Sequence, residues 1–463
     1  MKSKKNGNFD VAIVGTGPAG IFAALELSKI QKNLKVVMYE KGKHRKKDEP
    51  NCSVTSGFGG SGAFSDGKLN HTMESGGQLN KYLIPNESDA LINYVDEIYL
   101  RFGGDRILID GNDSDVSMLK RKAAACDLKM INFPIRHLGT DKSRIIVDKM
   151  KKNLEKSGVV INVNTEVVGI KKVGNDFCLS IKRADGECCD EIIKNVIIAP
   201  GREGAQWFSE IADKLRLKKV TNNVDIGVRV EVSDEIIKHI TDLVYELKVL
   251  YKSKSFQDQI RTFCMCPSGL VAIEEYKYGT GLKTVNGHTP KEATLRSKNT
   301  NFAILVSKTF TEPFKNPLEY AQRISGLANN LAGGGVLVQR LGDFYRHRRS
   351  TQKSIEENFI VPTLKNAVPG DLSLVLPYRH MIGILEILEA LNKLVPGVGG
   401  DHTLLYGVEV KFYSNKVETK DGCETMIDNL YVAGDGSGYT RGLMQASMHG
   451  VLVARKLAEN LKK

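Results

Sequence analysis

The chain has 463 residues, 41% of them hydrophobic and 26% charged, which is ordinary globular composition with length enough for two cores. No apolar run approaches the roughly 20 residues that cross a bilayer, and residues 1–10 carry lysines but no apolar leader stretch. No membrane partner is expected, and the expected location is cytoplasmic. The net charge of +12 is scattered and dense only at residues 43–47 and 346–349, so nucleic acid is not the expected partner and an anionic ligand is. Eight cysteines without a CxxC pair argue against a metal knuckle, and no metal is expected.

Residues 9–14, FDVAIV, form a short apolar run suited to a buried parallel strand. Gly15-Thr16-Gly17-Pro18-Ala19-Gly20 follows as a full GxGxxG, and Ile21, Ala24, Leu25 and Leu27 then recur on one helical face. Residues 35–39, KVVMY, read as a second strand that ends at Glu40, with Lys41 beside it. Gly15 permits the tight turn, Gly17 lets the backbone approach a pyrophosphate, and Gly20 lets the helix pack on the sheet. The helix N-terminus offers N–H groups and partial positive charge to phosphates. Glu40 stands where an acid accepts hydrogen bonds from ribose hydroxyls, which disfavours a 2′-phosphate. The expected ligand is therefore FAD or NAD rather than NADP.

Residues 51–69, NCSVTSGFGGSGAFSDGKL, are a glycine-rich loop able to run its backbone against a flat ligand, with Gly62, Ser65 and Asp66 as candidate contacts. Residues 195–204, NVIIAPGREG, read as a strand and a turn at Pro200-Gly201. Residues 430–433 read as another strand, with Gly434-Asp435 at its carboxyl end and a small-residue helix starting near Gly442.

These segments resemble the two FAD fingerprints of the glutathione-reductase-like superfamily. The phrase GGSGAFSDGKL, with RHLGTD at 136–141, RTFCMCP at 261–267, LLYGVEVKFYS at 404–414 and RGLMQA at 441–446, resembles the bacterial FAD-dependent dehydrogenases, a branch of the NAD(P)/FAD-dependent oxidoreductases. The resemblance runs from the first strand to the last helix. It implies FAD as cofactor, Asp435 on a ribityl hydroxyl, the Leu443 and Met444 amides at the N1/O2 edge of the flavin, and Val167 near the adenine. A helix N-terminus there would stabilise the negative charge of reduced flavin.

The fold expected is α/β: a discontinuous Rossmann-like FAD-binding domain (residues 1–224 and 401–463) with an inserted α+β substrate domain (225–400). Gly333-Gly334-Gly335 precedes a strand-like run instead of following one, so a second dinucleotide domain is not expected and NAD(P)H enters only as a transient reductant. The activity expected is hydride transfer between a small organic substrate and flavin. A flavin-dependent RNA-modifying enzyme and an electron carrier with a redox protein partner stand as alternatives.

Four residues are candidates for catalysis. Cys52 lies where flavin disulfide reductases place a cysteine, but Gly57 occupies the position of a CxxxxC partner and excludes that dithiol pair. His402, Tyr406 and Lys411 are candidates to line the cleft and handle a proton, as is Glu409. Arg202 and Arg441 flank the turns and are candidates to hold an anion.

Overall fold

Val11, Ala12, Ile13 and Val14 are all buried, as a strand covered on both faces must be. In the computed structural model, which describes residues 4–6, 9–43, 56–63, 67–276, 281–310, 313, 314, 316–411 and 414–462, Val11–Val14 is the centre of a five-stranded parallel sheet. The order is Leu430–Val432, Asn195–Ile198, Val11–Val14, Val36–Tyr39, Val160–Asn162. The register pairs Val11 with Val36 on one side and with Asn195 on the other. Cys52, Ser65 and Asp66 lie outside the described residues.

The chain divides into two units: residues 1–107, 136–222 and 413–463 in one, and residues 108–135 and 223–412 in the other. The first contains the parallel sheet and the helices Pro18–Ile30 and Leu443–Asn460. Gly450 makes their contact close: a Cβ there would stand 2.1 Å from the Ala19 carbonyl oxygen. A second sheet in this unit joins Lys4–Asn6, Cys188–Ile193, Asp176–Arg183 and Thr165–Val173.

The second unit is built on an eight-stranded sheet. Its middle strands are Leu337–Arg340, Leu404–Lys411, Val224–Ser233, Asn299–Lys308, Gln259–Cys266 and Lys248–Lys252, and Val368–Pro369 and Lys129–Ile131 are its edges. Val224, Ile226, Val228, Val230 and Val232 form one apolar cluster with Asp113–Ala125, Asp234–Thr241, Pro317–Leu331 and Tyr378–Leu394. Strand alternation sends Asp225, Arg229 and Glu231 to the opposite face.

The boundaries differ from the sequence expectation in two places. Residues 108–135 join the second unit because Lys129–Ile131 pairs antiparallel with Lys248–Lys252, Lys248 opposite Ile131. Residues 401–412 also join it, because Leu404–Lys411 lies between Leu337–Arg340 and Val224–Ser233 in the large sheet. Among the described residues, no helix is long and apolar enough to cross a membrane.

Candidate functional site

Three turns stand at the carboxyl ends of three adjacent parallel strands, the place where open α/β sheets bind ligands. The first is Gly15-Thr16-Gly17, after Val11–Val14. Gly15 has φ +103°, and a Cβ on it would meet the Ala199 carbonyl oxygen at 2.2 Å. The second is Pro200-Gly201, after Asn195–Ile198. The third is Gly434-Asp435-Gly436, where a Cβ on Gly436 would meet the Gly201 oxygen at 2.5 Å. Glycine is required wherever turns press this close.

Pro18 begins the first helix and Gly17 is its N-cap, with no side-chain capping bond. Nothing lies within 4 Å of where a Gly17 Cβ would point. The last helix starts in the same way, with Gly442, which has no side chain to cap with, as its N-cap. Gly62 lies between the two starts, its Cβ position 2.7 Å from Pro18 Cγ and 3.3 Å from Leu443 Cδ1. Pro18, Phe22, Gly62, Tyr99, Val147 and Leu443 line an apolar pocket here. The sequence reading did not single out Gly59, whose N–H donates to the Thr16 carbonyl at 2.8 Å and lays the glycine-rich segment on the first turn. Its only signal in the sequence was membership of that segment.

Glu40 holds the second strand's end. Its Oε2 accepts from the Thr16 N–H at 3.2 Å and hydroxyl at 2.8 Å, and its Oε1 from the Gly42 and Gly57 N–H groups, each at 2.9 Å. Thr165 N–H donates to the Glu40 carbonyl, which brings the strand of Val167 to this end of the sheet; the Val167 side chain is buried. Lys41 Nζ lies 3.8 Å from Glu203.

At the third turn, Asp435 accepts from the Thr440 hydroxyl at 2.6 Å and lies 4.0 Å from Arg202. Burial holds its carboxyl above the ordinary value, against the pull of Arg202. His449 braces this turn from within the last helix. Its Nδ1 accepts the Gly434 N–H at 3.1 Å and its Nε2 donates to the Gly422 carbonyl at 2.8 Å. Burial pushes the imidazole down to about 4, so it is neutral, as a ring that accepts at one nitrogen must be. Met444 is buried at the helix start. Gln445, another residue not singled out in the sequence, donates to the Met73 and Ser75 carbonyls, while its buried Oε1 has no partner among the described residues. An acceptor without a partner among the described residues, beside a helix start with a glycine N-cap, suits a ligand edge that carries both donors and acceptors.

The described residues therefore fit a dinucleotide carrying a flavin. Gly17 leaves room at the first helix start, both helix N-termini can donate to anions, and Gly62 adds no side chain where Pro18 and Leu443 approach it.

The catalytic candidates that the structure describes belong to the second unit. His402 is half-buried, with its Nδ1 2.7 Å from Asn358 Oδ1 and its ring 4.0 Å from that of Phe359. Tyr406 is fully buried and donates to Glu231 at 2.5 Å. Burial and this carboxylate raise its phenol well above the ordinary value, while burial raises Glu231 in turn. Lys411 Nζ lies 2.8 Å from Glu409, whose other contact is Arg229 at 3.2 Å. Cys266 Sγ accepts from Arg229 at 3.4 Å. Arg441 is in the first unit, its N–H on the Gly76 carbonyl at 2.7 Å.

Residues 223–412, the second unit's long segment, match the family described as FAD-dependent protein, C-terminal domain-like. A protein of Clostridium beijerinckii is 23% identical over 99% of this chain and 83% of its own length. Among solved structures, L-proline dehydrogenase from P. horikoshii is similar at 12% identity and a TM-score of 0.44, over 98% of this chain and 95% of that one. Glycine oxidase from Geobacillus kaustophilus is similar at 14% identity and a TM-score of 0.40, over the same shares. The family match and the geometry of the three turns together mark an FAD-dependent protein.

Proposed function

We propose that this chain is an FAD-dependent oxidoreductase that moves a hydride between a small organic substrate and flavin. One observation carries the reading: two helix starts with glycine N-caps, Gly62 between them, at the carboxyl end of one parallel sheet. FAD, when bound, supplies the two-electron chemistry.

The chain's part is to bind and orient. Gly15, Gly17, Pro18, Ala19 and Gly20 admit the diphosphate to the first helix start. Glu40, with Lys41 beside it, meets the adenosine ribose, and Val167 borders the adenine. Pro200, Gly201, Gly434 and Asp435 hold the ribityl chain. The Gly442-Leu443-Met444 backbone directs N–H groups at the pyrimidine edge, where they stabilise an anion. Thr16 and the Gly42 and Gly57 amides already occupy Glu40, so on this reading ribose hydroxyls share its lone pairs with that loop. His402 and Tyr406 have polar atoms committed to Asn358 and Glu231. Lys411 is the candidate retained for the substrate side.

Anaerobic stopped-flow spectroscopy of the FAD-loaded protein tests the reaction class. Bleaching of the oxidised flavin band by NADH or NADPH assigns a reductase that takes nicotinamide transiently. Bleaching only by small organic reductants assigns a substrate-oxidising dehydrogenase. A flavin that no small molecule reduces would overturn the oxidoreductase reading in favour of a carrier with a protein partner.

A further inference from the structure

Val224–Ser233, Gln259–Cys266 and Leu404–Lys411 are strands of one sheet, and their faces opposite the helix layer carry charge. Arg261 opposes Leu305, Leu305 opposes Gly227, and Gly227 opposes Glu409. Phe263 opposes Ala303, which opposes Arg229. Small and apolar residues thus alternate with ionised ones.

Three cations surround the half-buried ring of Phe263. Arg261 Cζ lies 5.1 Å from its centroid, Lys248 Nζ 5.5 Å and Lys411 Nζ 5.7 Å. Arg261 pairs with the buried Asp225, which also accepts from the Ser307 hydroxyl at 2.6 Å. Lys411 pairs with Glu409, but that carboxylate also serves the fully buried Arg229. Glu409 is thus shared by two buried cations, and buried charge is costly without compensation. An aromatic ring beside it offers an apolar wall to whatever anion binds.

We infer that this sheet face is the anion subsite of the substrate, built for an organic carboxylate with a planar apolar body. The inference deepens the proposed function and rests on its assignment of a substrate to this chain. Arg261 and Lys411 grip the carboxylate and Phe263 packs the body. Lys248 adds charge from the neighbouring strand. Carboxylate is the chemistry that matches a guanidinium fork and an ammonium at one ring.

The test is isothermal titration calorimetry of the full-length, FAD-loaded protein, with benzoate as probe and benzamide as its neutral isostere. The unmodified protein should bind benzoate at least about 10-fold more tightly than benzamide, as a charge-assisted contact requires. Lys411→Met should weaken benzoate about 10-fold or more and leave benzamide unchanged; Glu409 keeps Arg229 in this variant, so no buried charge is orphaned. Phe263→Leu preserves every charge and should weaken both probes. Equal binding of benzoate and benzamide, absence of benzoate binding, inorganic phosphate as tight as benzoate, or unchanged benzoate binding in folded Lys411→Met would each overturn the subsite. The FAD content of each sample separates the two readings: a protein that holds FAD but not benzoate contradicts only the subsite, and one without FAD contradicts the proposed function.

Discussion

Gly450 presses against Ala19 so closely that a single added carbon would lie 2.1 Å from the Ala19 carbonyl oxygen and 2.9 Å from the Ala23 nitrogen. The last helix thus rests backbone to backbone on the first, and their starts come to one place with Gly62 between them. Gly450→Val should force the helices apart at a cost of about 3 kcal/mol or more, the scale of severe overpacking. Chemical denaturation would show a lowered midpoint, and FAD retention should fall with it. A variant as stable as the unmodified protein would mean that the helices do not meet this way.

Gly17 makes the opposite case. Its φ is −73°, open to any residue, and its Cβ direction is clear for 4 Å. Gly17→Val should leave the thermal midpoint within a few degrees while FAD affinity drops at least about 10-fold, because the side chain would stand where a diphosphate approaches. Fluorescence titration with FAD measures the second quantity. Unchanged affinity would remove the first turn from the cofactor site.

Glu40 receives four donors. Glu40→Gln exchanges one accepting oxygen for a donor and sets it against N–H groups that keep no acceptor. The expected loss is roughly 1–3 kcal/mol of stability, the cost of leaving buried polar groups unpaired, with weaker FAD binding besides. Glu40→Asp, which keeps the charge but shortens the reach, should lose less. Equal stability of Glu40→Gln and the unmodified protein would show that Glu40 does not hold this loop.

Two imidazoles shape the response to acid. His380 and His449 are both buried, and burial pushes each down to about 4. Among the described residues, neither ring nitrogen of His380 has a hydrogen-bond partner. In the unfolded chain histidine takes up a proton near pH 6.5, whereas the folded chain resists until about pH 4. The stability from keeping these rings neutral is therefore complete above about pH 6.5 and lost as pH falls towards 4, on the order of 2–3 kcal/mol for each. His380→Phe removes one titrating group without breaking a bond, so its denaturation midpoint should fall less steeply across that window. An identical slope would contradict the assignment. Asp96 does not confuse the test. Burial works against its ionisation, but His71 and Arg136 hold the carboxyl down to about 2, so its contribution is lost only below about pH 4.

How far the site could be read in the sequence follows from how local each signal was. Gly15, Gly17 and Gly20 sit within six residues of one another, between an apolar run and a helical stripe, and the fold places them as that order dictates. Asn195–Ile198 and Leu430–Val432 were legible as apolar strands ending in glycine turns, although the pairing of the first with Val11–Val14 and of the second with the first spans hundreds of residues. The domain edges were not legible. Lys129–Ile131 is a three-residue edge strand whose partner, Lys248–Lys252, lies far along the chain, and no local period marks it. The charged face of the large sheet was half legible: alternation in DIGVRVEV sets Asp225, Arg229 and Glu231 on one side, but the approach of Lys248, Arg261 and Lys411 to Phe263 needs the order of five strands. His449 was legible as a histidine near the last turn, but not as the group that holds the Gly434 N–H.

The most direct measurement is a titration of the purified, flavin-stripped chain with FAD, followed by flavin fluorescence and absorbance and repeated on Gly17→Val. The account predicts saturable binding of one FAD per chain by the unmodified protein and its loss in the variant, with circular dichroism alike for both. A folded chain that takes up no FAD, or a Gly17→Val variant that takes it up equally well, would contradict it.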